Sequence, residues 1–221
     1  MKNDFVEIEF TGYANGEVFD SNVSEDLKKL SEKAEPKKTI VIVSQHMVVP
    51  GFDQALEGKE FGKQYEIILQ PKDAFGERKR SLVKIIPLHI FIRHKINPAT
   101  GMTLFLDNMM AKVIAVSGAR ITTDFNNPMA GKEITYKFTI KRKVSDDKEK
   151  SDAFFDFSLR FIPEFVSSDA EKIIVKGNKE IEPIIKMFSE KFKELVGKSL
   201  EFKLEEAQVP PVKKEQTDPS N

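Results

Sequence analysis

VVPGFDQALEGKEFGKQYEIILQPKDAFGE, residues 48–77, is the stretch whose reading decides the fold. It opens on two β-branched residues, Val48 and Val49, and a Pro50-Gly51 corner. Phe52, Ala55 and Leu56 then recur at helical spacing, which predicts a turn or two of helix with those side chains on one face. Gly58 is placed to close that helix in a left-handed cap. Residues 65–69 read as a strand, and a loop follows that ends on Ala74-Phe75-Gly76. A strand end, a short helix led by an aromatic and a second aromatic on a loop can build a small apolar cup. The same residues also suit an ordinary helix–strand corner in which Phe52 and Phe75 are core.

Upstream, Val6, Ile8 and Phe10 alternate with Glu7 and Glu9, the pattern of a half-buried strand. Asn15-Gly16 is a strong hairpin signal, and Val18-Phe19 begins the return strand. Residues 24–34 turn polar and helical, with Leu27 and Leu30 as the apolar stripe, Ser24 as N-cap and Pro36 as a limit. Residues 39–43 are a β-branched run read as a central strand.

Downstream, Glu77-Arg78-Lys79-Arg80 marks an exposed loop, and residues 82–123 read as a four-stranded unit punctuated by turn clusters at 97–101 and 117–118. Ile134, Tyr136, Phe138 and Ile140 alternate in a strand returning to the first domain. VSDDKEKS, residues 144–151, reads as a charged linker. In the last third, Phe155, Phe157, Leu159 and Phe161 alternate as a strand, and Ile173-Ile174-Val175 predicts another. Ile181, Ile184, Ile185, Phe188, Phe192, Leu195 and Val196 trace one helix face ended by Gly197, and Leu200, Phe202 and Leu204 form a final strand. The last two strands and their helix suit a right-handed βαβ crossover. Residues 209–221 are Pro-rich and polar, and are expected to be disordered.

Composition narrows the chemistry. Across 221 residues, 35 Lys and Arg balance 35 Asp and Glu, so no global field draws the chain to nucleic acid or an anionic membrane. Cysteine is absent, which removes disulfides and thiolate chemistry. No signal peptide or membrane span is read, so a cytoplasmic protein is the expectation. His46, His89 and His94 lack ligand spacing and read as structural or surface residues. Gly197-Lys198-Ser199 resembles the end of a P-loop, but the glycine five residues earlier is missing and the triplet ends a helix. No nucleophile elbow is present. Acid–base, metal and nucleophilic catalysis are all poorly supported, and no cofactor is expected.

Residues 48–77 resemble the central segment of the FKBP-type peptidyl-prolyl isomerases, a hydrophobic-x-Gly-aromatic run leading to Ala-Phe-Gly. VEIEFTGY at 6–13 and GEVFDS at 16–21 resemble the opening of that family. NNPMAG at 126–131 resembles a motif of its SlyD-like branch. The resemblance implies an α+β fold: an FKBP-like antiparallel sheet wrapped on a short helix (1–83 plus 124–145), a small all-β insert-in-flap domain (84–123) and a C-terminal α+β domain (152–208). It also implies a prolyl isomerase and folding chaperone acting on X-Pro peptides and unfolded or partly folded proteins. No nucleic-acid or membrane partner is implied, and a homodimer through the C-terminal domain is. The holdase or adaptor alternative binds unfolded chains with little isomerase activity.

Carried over by that resemblance, the pocket comprises Tyr13, Phe19, Asp20, Val48, Val49, Phe52, Phe75, Met129 and Tyr136. Ile90, Phe91, Met102, Leu104, Leu106, Met109 and Met110 supply adaptable apolar surface on the insert. Three departures bear on efficiency: Asn127 stands where the branch has histidine, Ser44 where glycine is usual, and Thr39 where an apolar residue is common. No metal site is carried over.

Overall fold

The computed structural model describes residues 2–106 and 108–205, and its contacts divide the chain into two units that meet after Lys143. The tail expected at 209–221 lies outside the described residues.

The first unit is organised on the ten-residue strand β1 (Phe5–Ala14). Asn15 and Gly16 adopt φ of +53° and +81°, the left-handed pair that a tight hairpin requires, and β2 (Glu17–Ser21) returns beside residues 11–14. β3 (Thr39–Ile42) pairs with residues 5–8 of β1, so β2 and β3 share one long edge end to end. The central position expected for 39–43 is therefore corrected: β1 itself is central, and each short partner covers half of it. Between them α1 (Ser24–Leu30) stops short of Ala34. Ser24 does not cap it; Val23 is the N-cap and offers no side-chain bond. The helix is instead tied to β1 through Asp26, which accepts from Thr11 Oγ1 at 2.8 Å.

α2 (Pro50–Leu56) opens on a proline, whose fixed φ suits the first helical turn. Phe52 and Leu56 are fully buried against the sheet. A side chain at Gly51 would meet Leu69 Cδ2 at 2.6 Å and the Asp73 carbonyl at 2.9 Å, so glycine is what lets the helix sit this close to β4 (Gln64–Leu69). Gly58 is left-handed at φ +72°, one residue beyond the extended C-cap Glu57. β9 (Ile134–Lys143) completes the antiparallel order β2–β1–β9–β4. The shared core contains Val6, Ile8, Val41, Phe52, Leu56, Ile134, Phe138 and Ile140.

The insert leaves this body through β5 (Val83–Pro87) and returns through β8 (Arg120–Asp124), with β6 (Thr103–Leu106) and β7 (Met109–Ser117) outside them in the order β5–β8–β7–β6. It is not purely strand, because residues Leu88–Arg93 form a short helix, α3. Pro87 ends the strand and begins the helix, and only a helical turn lets Leu88 and Phe91 reach one small core with Val113 and Ile121.

In the second unit the structure overturns three readings. The expected linker at 144–151 and strand at 155–161 are replaced by α4 (Asp147–Leu159). Asp146 caps it by accepting from the Glu149 amide at 2.8 Å, and the charged run forms its first turns, with Lys148 and Asp152 paired at 2.5 Å. Phe154 and Phe155 are buried while Phe157 is 36% exposed, so the apparent alternation was a helix seen at the wrong period. After Arg160, left-handed at φ +55°, come β10 (Glu164–Ser168) and β11 (Lys172–Gly177). The single helix expected from 181 to 196 is two, α5 (Glu182–Met187) and α6 (Ser189–Val196), and Gly197 at φ +86° closes the second as expected. β12 (Ser199–Leu204) runs parallel to β11, the crossover read from the sequence. Phe154 and Phe192 meet edge to face at 5.1 Å in the core of this unit.

Candidate functional site

Strand alternation builds the floor of the site. Cross-strand partners share a sheet face, and the pairs Ile8–Ile140, Phe10–Phe138 and Gly12–Tyr136 place Phe10 and Tyr136 on the face covered by α2. Gly12 is required there: a Cβ on it would lie 2.8 Å from both Phe19 Cζ and Tyr136 Cε1. Tyr136 stacks on Phe52 with ring centroids 4.6 Å apart at 18°. Phe10 meets Phe52 edge-on at 5.9 Å, and Phe19 meets Phe75 at 5.6 Å and Tyr136 at 6.0 Å, both edge to face. These rings hold one another at angles favoured by their quadrupoles.

The wall comes from the loop before α2. Ser44 and His46 are left-handed, at φ +66° and +56°, and the buried Asp53 carboxylate accepts from both amides at 2.8 Å. Ser44 thus occupies a conformation that glycine adopts freely, held by a hydrogen bond from α2. Met47 Sδ accepts from the Ile42 amide at 3.0 Å. The loop is pinned at both ends, which sets Met47, Val48 and Val49 against Phe52.

The result is an open cup of about 370 Å³ lined by Phe10, Asp20, Met47, Val48, Val49, Phe52, Phe75 and Tyr136. Burial raises the Asp20 carboxyl above the ordinary aspartate value, against a lowering from the Ser21 backbone bond. Burial also raises the Tyr136 phenol, and the nearby Asp20 charge adds to it. Both shifts share partial removal from water as their first cause, with the buried Tyr136 at the floor and the exposed Asp20 at the rim. Among the described residues no group of His, Asp or Glu could hold a metal ion.

Of the residues carried over to the pocket, Asp20, Val48, Val49, Phe52, Phe75 and Tyr136 line the cup. Phe19 stands behind it as a ring support. Met129 packs on the same apolar core from the turn after β8, without lining the cup. Tyr13 is a correction. It pairs with Thr135 on the opposite sheet face, donates to Asp26 at 3.4 Å and borders a separate polar hollow with Glu66 and Lys137. Phe10 and Met47 were missed. The signal for Phe10 was parity: Val6, Ile8 and Phe10 share a face that Tyr13, an odd number of residues on, does not. Met47 follows two left-handed residues and no local pattern marked it.

The departures find places too. Asn127 Oδ1 accepts from the Met129 amide at 2.8 Å and shapes the turn. Thr39 Oγ1 accepts from Asn22 at 2.9 Å.

On the insert, Phe91 is 1% exposed and is core, with Leu104 and Leu106 half-buried against it. Ile90 borders a hollow of about 610 Å³ together with Ile85, Ile86, Ile96 and Phe105. Met102, Met109 and Met110 are exposed, as are Ile85, Ile92 and Phe105, which the sequence reading did not single out. Where the insert joins the body, Arg78 and Asp124 pair at 2.5 Å, and Asn126 bonds both the amide and the carbonyl of Lys79.

Comparison with known proteins gives two overlapping family matches. Residues 1–90 match the family model for FKBP-type peptidyl-prolyl cis-trans isomerase, and residues 84–129 match that for the IF domain of FKBP26. The short-type peptidyl-prolyl cis-trans isomerase of Methanocaldococcus jannaschii is 31% identical over 143 residues, covering 63% of this chain and 90% of that protein. The FKBP-type peptidyl-prolyl cis-trans isomerase SlyD of Helicobacter pylori is 26% identical over 150 residues, 65% of this chain and 74% of the relative. No described helix is long and apolar enough to cross a membrane.

Proposed function

The chain belongs to the FKBP-type peptidyl-prolyl cis-trans isomerases, and from that membership we propose how it works: the aromatic cup holds the proline of a bound chain while the insert grips flanking sequence. Its activity is prolyl cis-trans isomerisation, and its substrates are proteins and peptides containing proline.

The barrier to rotation about an X-Pro bond, ~18–20 kcal/mol, comes from amide resonance. Twisting the bond removes that resonance and much of its charge separation. A water-poor apolar site favours the twisted form over the planar one, which does better in water. The cup meets that requirement without nucleophile, metal or general base. Phe52 and Tyr136 form its floor, Val48, Val49 and Met47 one wall, and Phe75 with Phe10 the other aromatic surfaces. Asp20 stands as the single carboxylate in the lining. The observation that carries this reading is the Phe52–Tyr136 stack, at 4.6 Å, forming the buried floor of the cup.

The insert supplies the second grip. Among the described residues its core holds only Phe91, Val113 and Ile121 as fully buried large residues, and its exposed Met102, Met109, Met110 and Phe105 can conform to varied apolar sequences. The second unit exposes Ile184, Met187 and Leu204, which suits pairing with another copy of the chain, and sedimentation at several concentrations tests that. The central test compares the full chain with one in which residues 84–122 are replaced by a short loop. Acceleration of proline-limited refolding is expected to collapse while isomerisation of short X-Pro peptides persists. Loss of both, in a chain that still folds, would place the prolyl site in the insert and reject the cup.

A further inference from the structure

Tyr136 is 4% exposed, its ring fixed by Phe52, Phe10 and Phe19. Its hydroxyl makes no hydrogen bond to any described residue, yet no buried side-chain oxygen or nitrogen among them is left unpaired. The phenol oxygen must therefore meet open space, and the open space against Tyr136 is the cup. An apolar stack would be served equally by phenylalanine, as it is at Phe10, Phe19, Phe52 and Phe75. A lone donor in such a lining is explained by a ligand acceptor, because sealing it under an apolar ring alone would leave it unsatisfied. Burial and the Asp20 charge keep it protonated, so it offers a proton across the physiological range.

Resting on the reading of the cup as the prolyl site, we propose that Tyr136 Oη donates a hydrogen bond to the carbonyl oxygen of the bound proline residue itself. The carbonyl of the rotating X-Pro bond is the wrong acceptor. A donor there draws electron density to oxygen, increases the double-bond character of C–N and raises the barrier. The next carbonyl along has no part in that resonance. Held by Tyr136, it locks the ring over Phe52 and leaves the preceding residue free to turn. Tyr136 is then a substrate-binding residue that sets how proline is seated, and it favours segments in which a carbonyl follows the ring.

The test uses full-length wild type and Tyr136→Phe with an X-Pro-X peptide, reading kcat and KM from NMR exchange over a range of peptide concentrations. KM is expected to rise on the order of fivefold, the worth of one neutral hydrogen bond, with kcat within about twofold. The thermal midpoint should not fall, since the hydroxyl has no protein partner. A second peptide ends in pyrrolidine, so the ring remains but the carbonyl after it is gone; wild type and variant should then have equal KM. Unchanged KM on the first peptide, a fall in kcat with KM constant, a lowered midpoint, or a KM difference that survives on the second peptide each overturns the proposal. A wild type inert on both peptides would reject the cup as the prolyl site. An active wild type matched by its variant would reject only the role of Tyr136.

Discussion

Phe52 and Tyr136 in the cup are 1% and 4% exposed and locked ring on ring, whereas Phe105 and Met110 in the insert are 72% and 47% exposed on the outer strands. On the proposed reading, the same kinds of side chain meet substrate in two ways. A preorganised aromatic floor loses little freedom on binding and suits one constant group, the proline ring. A flexible methionine-rich surface loses more but accepts many sequences. Selecting a bond and holding a chain place opposite demands on apolar surface, and the proposed function assigns them to separate elements.

Four substitutions press on that division. Phe52→Ala should have the largest effect. It removes the stacked floor, costs about 3–5 kcal/mol in denaturant unfolding, and brings short-peptide isomerisation to background. Suppression of aggregation by the insert should survive, measured below the lowered unfolding temperature. Gly12→Ala comes next: its Cβ would meet Phe19 and Tyr136 at 2.8 Å, so overpacking should cost about 1–3 kcal/mol. Peptide turnover should fall on the order of tenfold as Tyr136 shifts, and insert-dependent binding should not change. Phe105→Ser sharpens the other side. Stability should stay within about 0.5 kcal/mol, because the ring is 72% exposed, and peptide turnover should hold while acceleration of protein refolding drops several-fold. Equal losses on peptide and protein substrates would merge the two regions into one site.

The smallest effect belongs to Asp20. Its pKa is raised in the folded state, chiefly by burial, so between the ordinary aspartate value and the folded value the native state binds more protons than the unfolded one. Stability contributed by this group therefore falls as pH rises through that window. Asp20→Asn should flatten that slope in unfolding titrations and make the protein slightly more stable than wild type at neutral pH. A variant less stable at neutral pH would reverse the assigned shift.

Much of the first unit was legible because its signals are local. Asn15-Gly16 demands a left-handed turn, Pro50 and Gly51 open α2, and alternation in residues 134–140 marks the strand opposite β1. The same alternation, followed strictly, selects Phe10 and rejects Tyr13. The second unit was misread where two periods competed. Phe155, Phe157, Leu159 and Phe161 alternate like a strand, but Phe154 and Phe155 are adjacent, and only a helix buries both against Phe192.

By itself the sequence determined the hairpin, the helix and the strands around 48–77 through turn chemistry, alternation and aromatic spacing, all of which act within a few residues along the chain, while the pocket residues came from the family resemblance. Tertiary structure alone decided which aromatics close it, since Gly12 admits Phe19 and Tyr136 only when β1 and β9 are in register. It also decided that Asp53 holds Ser44 and His46 left-handed and so places Met47, and that Tyr136 lines the cup. Those outcomes depend on contacts between residues far apart in sequence, where no local preference carries the information.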